Sequence, residues 1–348
     1  VKILIRATNW IGDAIMALPA LRRVRSRFAD AHIAILARPY VTEIYRHQDV
    51  TDRLIPYEAN HGYAGLRGRQ QLAAELRMHK FDVALLLQNA FDAAWLAWRA
   101  GIPERIGYAR DGRSMLLSKP VRVPKSGEIP AHEQFYYLEL LRRAGWLEEL
   151  AGEAFIALKI CPDSKDKAER GLLTAGCRPH ALRIAIAAGA SYGTAKCWPP
   201  SRFAEVANRL SSRFDADVIL FGTAAEASAS SAIAADMRRP PVDLTAQTKI
   251  ADLPALFSRC HLFIGNDSGA MHLAAAAGLP IVAIFGSSDP RGTAPVTPRC
   301  TVVQEKPHCS PCFLRRCPID HRCMTRVTPA AVELAATTWL TSAEVRSA

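Results

Sequence analysis

The chain has 348 residues, 49% of them hydrophobic and 22% charged, which is ordinary globular composition at a length that favours two domains over one. Its net charge of +11 is concentrated: residues 1–30 and 299–326 each carry a net +4, a placement that suits an anionic or phosphorylated partner and argues against a long nucleic-acid track. The longest charge-free run, 268–288, is broken by Gly278 and Pro280, so it reads as a helix and a strand rather than a membrane span. Arg6 and Asp13 interrupt the first apolar run and speak against a signal peptide, so a soluble, cytoplasmic protein is expected.

Taken in chain order, the first element is a buried strand at 2–5. It runs into an amphipathic helical pattern through Ile11, Ile15, Leu18, Leu21, Val24 and Phe28, in which Pro19 implies a kink or a restart. Asp13, directly after Gly12, has two readings. An acid in a first turn is favoured by the helix macrodipole and often does nothing more; the same dipole keeps it ionised, the state a general base requires. Arg22, Arg23, Arg25 and Arg27 follow as a basic patch whose direction is open. Further strands are expected at 33–37, 53–55 and 83–87.

Charges and turn residues gather in "KICPDSKDKAERG", which marks a join between 158 and 179 and domains of 1–165 and 166–348. Beyond it, strands at 183–188, 218–221, 262–264 and 281–285 alternate with helices near 202–214, 225–237, 252–258 and 270–277. Such alternation builds a parallel sheet in each half, although no sequence repeat is visible. Open α/β sheets bind ligands at the carboxyl ends of their strands, so a cleft between two such edges is the expected site.

Two stretches carry chemistry. In "LFIGNDSGAMHLAAAAGLPIVAIFG" a strand meets a tight turn and an Ala-rich helix, with Asp267 or Ser268 as cap. The first helical amides at Ser268, Gly269 and Ala270 suit an anion such as a diphosphate, and His272 adds a titratable group; simple capping is the plainer alternative. In "AAGASYGTAKCWPPSRFAEVANRL" a strand enters a loop of small residues with Ser191, Thr194 and Lys196. A lone loop lysine is usually solvated, but Lys196 shares the predicted sheet edge with the anion-type helix start. Neither a G-x-G-x-x-G turn nor a Walker A lysine loop is present, which weighs against dehydrogenases and P-loop phosphotransferases.

"RATNWIGDAIMALPALR", "GASYGTAKCWP" and "FIGNDSGAMHLAAAAGLPIVAIFGSSDP", together with "RIGYARDGRSMLLS" and "HEQFYYLELLRRAG", resemble in matching order the signature segments of glycosyltransferase family nine, the ADP-heptose:lipopolysaccharide heptosyltransferases. The type II members are the most similar. The resemblance implies a GT-B fold, α/β with two Rossmann-like domains whose parallel sheets face across a cleft. It implies an acceptor-binding N-terminal domain and a C-terminal domain for the nucleotide sugar, with the last helix a candidate to pack back on the first. It implies an inverting, metal-independent transfer of heptose from ADP-heptose to the inner core of the lipopolysaccharide of Gram-negative bacteria, the acceptor being lipid A–Kdo or an already heptosylated core. Asp13 takes the base role by motif match, and Lys196 with Thr194 contacts the leaving diphosphate. Ser191, Asp267, Ser268, Gly269 and His272 line the donor site, while Asn9, Trp10 and Arg23 are acceptor candidates. A lipid acceptor implies peripheral contact with the inner leaflet, though no amphipathic segment demonstrates it. Ala270, Ala246 and Thr194 depart from the family pattern, standing where Pro, Gly and Pro are common.

Nine cysteines in a chain of this length do not describe a secreted disulfide scaffold. Four cluster as Cys309, Cys312, Cys317 and Cys323, with His308 and His321 nearby. A structural zinc is one reading and unmetallated thiols are the preferred one. Two other functions stay open: a family-nine transferase with a different nucleotide sugar or acceptor, and a non-catalytic anion-binding module in which Asp13 is dispensable.

Overall fold

The computed structural model describes residues 1–58, 63–150, 152 and 155–342. It divides into two compact units, Val1–Ala154 and Phe155–Ala348. The division falls ahead of the expected 165/166 boundary because the intervening segment is tied into the second unit. The Leu158 amide donates to the Ala276 carbonyl at 2.8 Å, and the helix Pro162–Thr174 packs on the helix Leu253–Phe257. Charge in that segment marks a solvated helix face more than a linker.

The first unit holds β1 (Lys2–Arg6), β2 (His32–Ala37), β3 (Arg53–Pro56), β4 (Val83–Leu86), β5 (Glu104–Tyr108) and β6 (Lys119–Val121), all parallel, in the order β3-β2-β1-β4-β5-β6. Ile5 lies opposite Ile35 on one side and Leu85 on the other, and β4 is buried throughout. Helices cover both faces of such strands, which is why they read as continuous apolar runs.

The second unit holds β7 (Arg183–Ala187), β8 (Asp217–Leu220), β9 (Val242–Asp243), β10 (Leu262–Asn266), β11 (Ile281–Phe285) and β12 (Cys300–Gln304), again parallel, in the order β12-β11-β10-β7-β8-β9. The two sheets therefore share one winding, with the first and fourth strands side by side in each. All eight expected strands are present. The four that were not expected are β5, β6, β9 and β12; three of these are sheet edges, and their sequences (ERIGY, KPV, VD, CTVVQ) mix polar residues into short runs.

Pro19 restarts the first helix rather than kinking it. Ile11–Met16 ends at Ala17, and Leu18–Arg27 begins with Pro19 in its first turn, where the missing N–H has no intrahelical partner to lose. The expected helix 225–237 splits similarly into a 3₁₀ turn, Ala224–Glu226, closed by a Thr223/Glu226 capping box, and a helix, Ala227–Asp236. The helix Pro329–Thr341 buries Val332, Ala336 and Leu340 in the core of the second unit, and Trp339 donates from Nε1 to Thr301 Oγ1 at 3.0 Å. Among the described residues no helix is long and apolar enough to cross a membrane.

Candidate functional site

In doubly wound sheets the chain leaves the first and fourth strands in opposite directions, opening a crevice at their carboxyl ends. Each unit places predicted residues at that point.

In the first unit, β1 ends on Arg6, which is buried. Its guanidinium donates to the Ala7 carbonyl at 2.6 Å and to Asn9 Oδ1 at 3.0 Å, and it lies over the Tyr57 ring. Burial lowers its pKa to about 10. The Asn9 side-chain oxygen is thus engaged by Arg6, and its carbonyl accepts from the Tyr40 hydroxyl at 2.7 Å, so Asn9 shapes the loop between β1 and the Ile11–Met16 helix. Trp10 occupies the N-cap position without a side-chain cap bond and is 47% exposed.

Asp13 follows in the first turn, half-buried. The Tyr137 hydroxyl donates to Asp13 Oδ1 at 3.3 Å, and the Tyr45 hydroxyl donates to the adjacent Ala14 carbonyl at 3.0 Å. Burial first, and then the Asp13 charge, push the Glu133 carboxyl up to about 7; the same two causes raise the Tyr137 phenol well above its ordinary range. Neither Tyr137 nor Glu133 was singled out in the sequence, although both lie in the quoted "HEQFYYLELLRRAG" segment. Arg23 is exposed and lines an open pocket of about 510 Å³ with Ser26, Arg27, Trp146 and Glu149; neither Asp13 nor Tyr137 lines it. Arg25 is committed elsewhere, to Asp52 at 2.6 Å.

In the second unit, β7 leads into the loop carrying Lys196, and β10 leads into Asp267. The Lys196 ammonium and the Asp267 carboxylate meet at 2.5 Å, with 16% and 5% of their side chains exposed. Ser288 donates to the same carboxylate oxygen at 2.6 Å and Thr293 at 3.4 Å, so one buried oxygen collects three donors. Asn266, fully buried, fixes the geometry. Its Nδ2 donates to the Ala188 carbonyl at 2.6 Å, and its Oδ1 accepts from the Trp198 amide at 3.0 Å, pinning both ends of the lysine loop to β10.

Ser268, not Asp267, caps the following helix Gly269–Ala276, accepting from the Met271 amide. Its first amides have no intrahelical acceptor, as at any helix start. His272 is buried in that helix. Ser191 and Thr194 are exposed on the loop beside Lys196. Asn266, Ser288 and Thr293 were not among the expected residues; the first two stand inside the quoted "FIGNDSG…IFGSSDP" segment.

The four clustered cysteines surround a small cavity of about 80 Å³ together with Leu314, Ile319 and His321, and all are free thiols. Among the described residues no group of three or more His, Cys, Asp or Glu is disposed to hold a metal ion. This loop leans on the lysine loop: the Ala195 amide donates to the Arg315 carbonyl at 3.1 Å, and the Tyr192 hydroxyl to the Phe313 carbonyl at 2.9 Å. Gly193 is required there, since a Cβ would stand 2.2 Å from the Arg315 oxygen.

The two corners are chemically distinct. One presents a carboxylate with a phenol donor and a second carboxyl; the other presents a cation held beside a helix start. The sequence pattern of glycosyltransferase family 9 (heptosyltransferase) matches residues 69–322, a segment that takes in Glu133, Lys196 and Asp267 and begins after Asp13. The chain is 28% identical over 319 residues to lipopolysaccharide heptosyltransferase 2 of Salmonella typhimurium, covering 87% of this chain and 88% of that one. The structure of E. coli ADP-heptose lps heptosyltransferase II superposes with a TM-score of 0.81 at 26% identity, over 98% of each chain. The family 9 glycosyl transferase of Veillonella parvula shares the fold, with a TM-score of 0.85 at 22% identity over 97% of each chain. The fold is thus that of the GT-B heptosyltransferases, and the chain is a glycosyltransferase belonging to family 9.

Proposed function

We propose that this enzyme moves a heptose from ADP-heptose to an inner-core acceptor of lipopolysaccharide, with inversion and without a metal in the transfer step. The observation that carries the reading is the Lys196–Asp267 pair at the switch point of the second sheet, beside the start of the Gly269–Ala276 helix. A cation and helix amides at one place are what a departing diphosphate needs. Similarity to type II heptosyltransferases supports the donor and the acceptor class.

In the step proposed, Asp13 accepts the proton of an acceptor hydroxyl as that oxygen bonds to the anomeric carbon. The bond from that carbon to the diphosphate oxygen breaks, and ADP leaves with the electron pair. Lys196 turns from Asp267 toward the diphosphate as its charge develops, with Thr194 and Ser191 on the same loop. Ser288 and Thr293 keep Asp267 hydrogen-bonded when Lys196 moves. Contact with the inner leaflet follows from the acceptor being a lipid.

Incubation with ADP-heptose and either heptose-free or singly heptosylated lipopolysaccharide, followed by ADP release, tests this. Release is expected with one acceptor, undiminished by a chelator, with the product's anomeric configuration opposite to the donor's. No ADP from either acceptor overturns the reading.

A further inference from the structure

We propose that Tyr137 and Glu133, one turn apart on the helix Glu133–Arg143, are positioning residues for the Asp13 carboxylate: the Tyr137 hydroxyl holds one of its oxygens, and Glu133 sets the charge it meets. The inference rests on Asp13 acting as the base and deepens that reading.

Residues four apart in a helix share a face, so Glu133 and Tyr137 project together. Their helix packs on the Ile11–Met16 helix, and the Tyr137 hydroxyl reaches Asp13 Oδ1 at 3.3 Å. Tyr137 is only 4% exposed, so its ring is locked by packing and its hydroxyl is a fixed donor. A hydrogen bond donated to one carboxylate oxygen restricts rotation of the group, which a base needs in order to meet its proton in line. Tyr45, from the neighbouring helix Pro39–Tyr45, bonds the Ala14 carbonyl instead and so steadies the backbone of the same turn.

The charged and titratable groups around Asp13 include Tyr45, Tyr137 and Glu133, with Arg110, just past the end of β5, acting on Glu133. Two neighbouring carboxyls lose their protons in two steps that belong to the pair. While Glu133 keeps its proton, Asp13 faces a neutral neighbour. Once Glu133 ionises, at about 7, Asp13 faces a second negative charge.

The test is kcat against pH for the full chain at saturating ADP-heptose and acceptor. The parent enzyme should rise in two steps, the upper near 7. Glu133→Gln should lose the upper step and Glu133→Asp should restore it. Tyr137→Phe should move the lower step up by about half to one pH unit, because the charged carboxylate loses a donor, while KM for ADP-heptose stays within about twofold. Unmoved profiles in both Tyr137→Phe and Glu133→Gln, in an enzyme that needs Asp13, overturn the inference alone. An Asp13→Asn enzyme that still transfers heptose overturns the base reading and the inference with it.

Discussion

The Asp13 corner of the first unit and the Lys196 corner of the second occupy equivalent positions in sheets wound in the same order, yet their electrostatics are opposite. Around Asp13 the structure gathers like with like: a carboxylate, a second carboxyl pushed up to about 7, and two phenols raised by burial. Around Lys196 it neutralises, joining the ammonium to Asp267 and adding Ser288 and Thr293 to the same oxygen. The shared topology opens a crevice and says nothing about its chemistry; the side chains at the strand ends decide that. Crowding carboxyls raises proton affinity, which suits the base role proposed for Asp13. A lysine paired across a short ion pair is held in place until a stronger anion arrives, which suits the diphosphate contact proposed for Lys196.

The comparison can be broken from either side. The largest expected effect is Asp13→Asn, which should lower kcat by about 10²–10⁴-fold while ADP binding and the thermal transition stay near the parent values. Lys196→Ala should cost about 10²–10³-fold in transfer and weaken ADP binding. It should also destabilise the second unit by about 3 kcal/mol, because Asp267 stays buried without its cation; calorimetry would register the loss, and an unchanged transition would mean the pair is not structural.

Glu133→Gln separates stability from rate. An unfolded Glu titrates near about 4.3, and in the folded protein the value is raised to about 7. Between those pH values the folded chain holds a proton that the unfolded chain has released, so stability falls as pH rises and the penalty is complete above 7. The variant should therefore melt a few degrees above the parent at pH 8, on a scale of about 2–4 °C per kcal/mol, and at the parent's temperature at pH 4. A constant gap across this range would mean that folding does not raise the Glu133 carboxyl above its unfolded value.

The smallest effect lies outside both corners. Ala246, where the family resemblance leads one to expect Gly, sits at φ +59°, exposed, with its amide on the Gly222 carbonyl at 2.9 Å. A side chain in this left-handed region costs about 1–2 kcal/mol, and the freer unfolded chain of a glycine returns part of that. Ala246→Gly should gain a few tenths to about 1 kcal/mol with transfer unchanged. A loss would show that the turn tolerates the methyl group.

The amino-acid sequence by itself determined the central strands, a break in the helical pattern at Pro19, a cap at Asp267 or Ser268 and the quoted segments around Asp13, Lys196 and Asp267, because each is written in residues within one turn or one strand of each other. The choice of a restart and of Ser268 came from the structure. It was silent on β9 and β12, edge strands that are only partly buried and so lack the continuous apolar run that announces β4 or β11. It did not reveal that the two halves share one winding, since strand order depends on where apolar segments pack and not on residue identity. Only the tertiary structure brought Tyr137 to Asp13 across 124 residues and Lys196 to Asp267 across 71. Proton affinity and ion pairing depend on which groups share a desolvated neighbourhood, and that is settled by long-range packing that no local periodicity records.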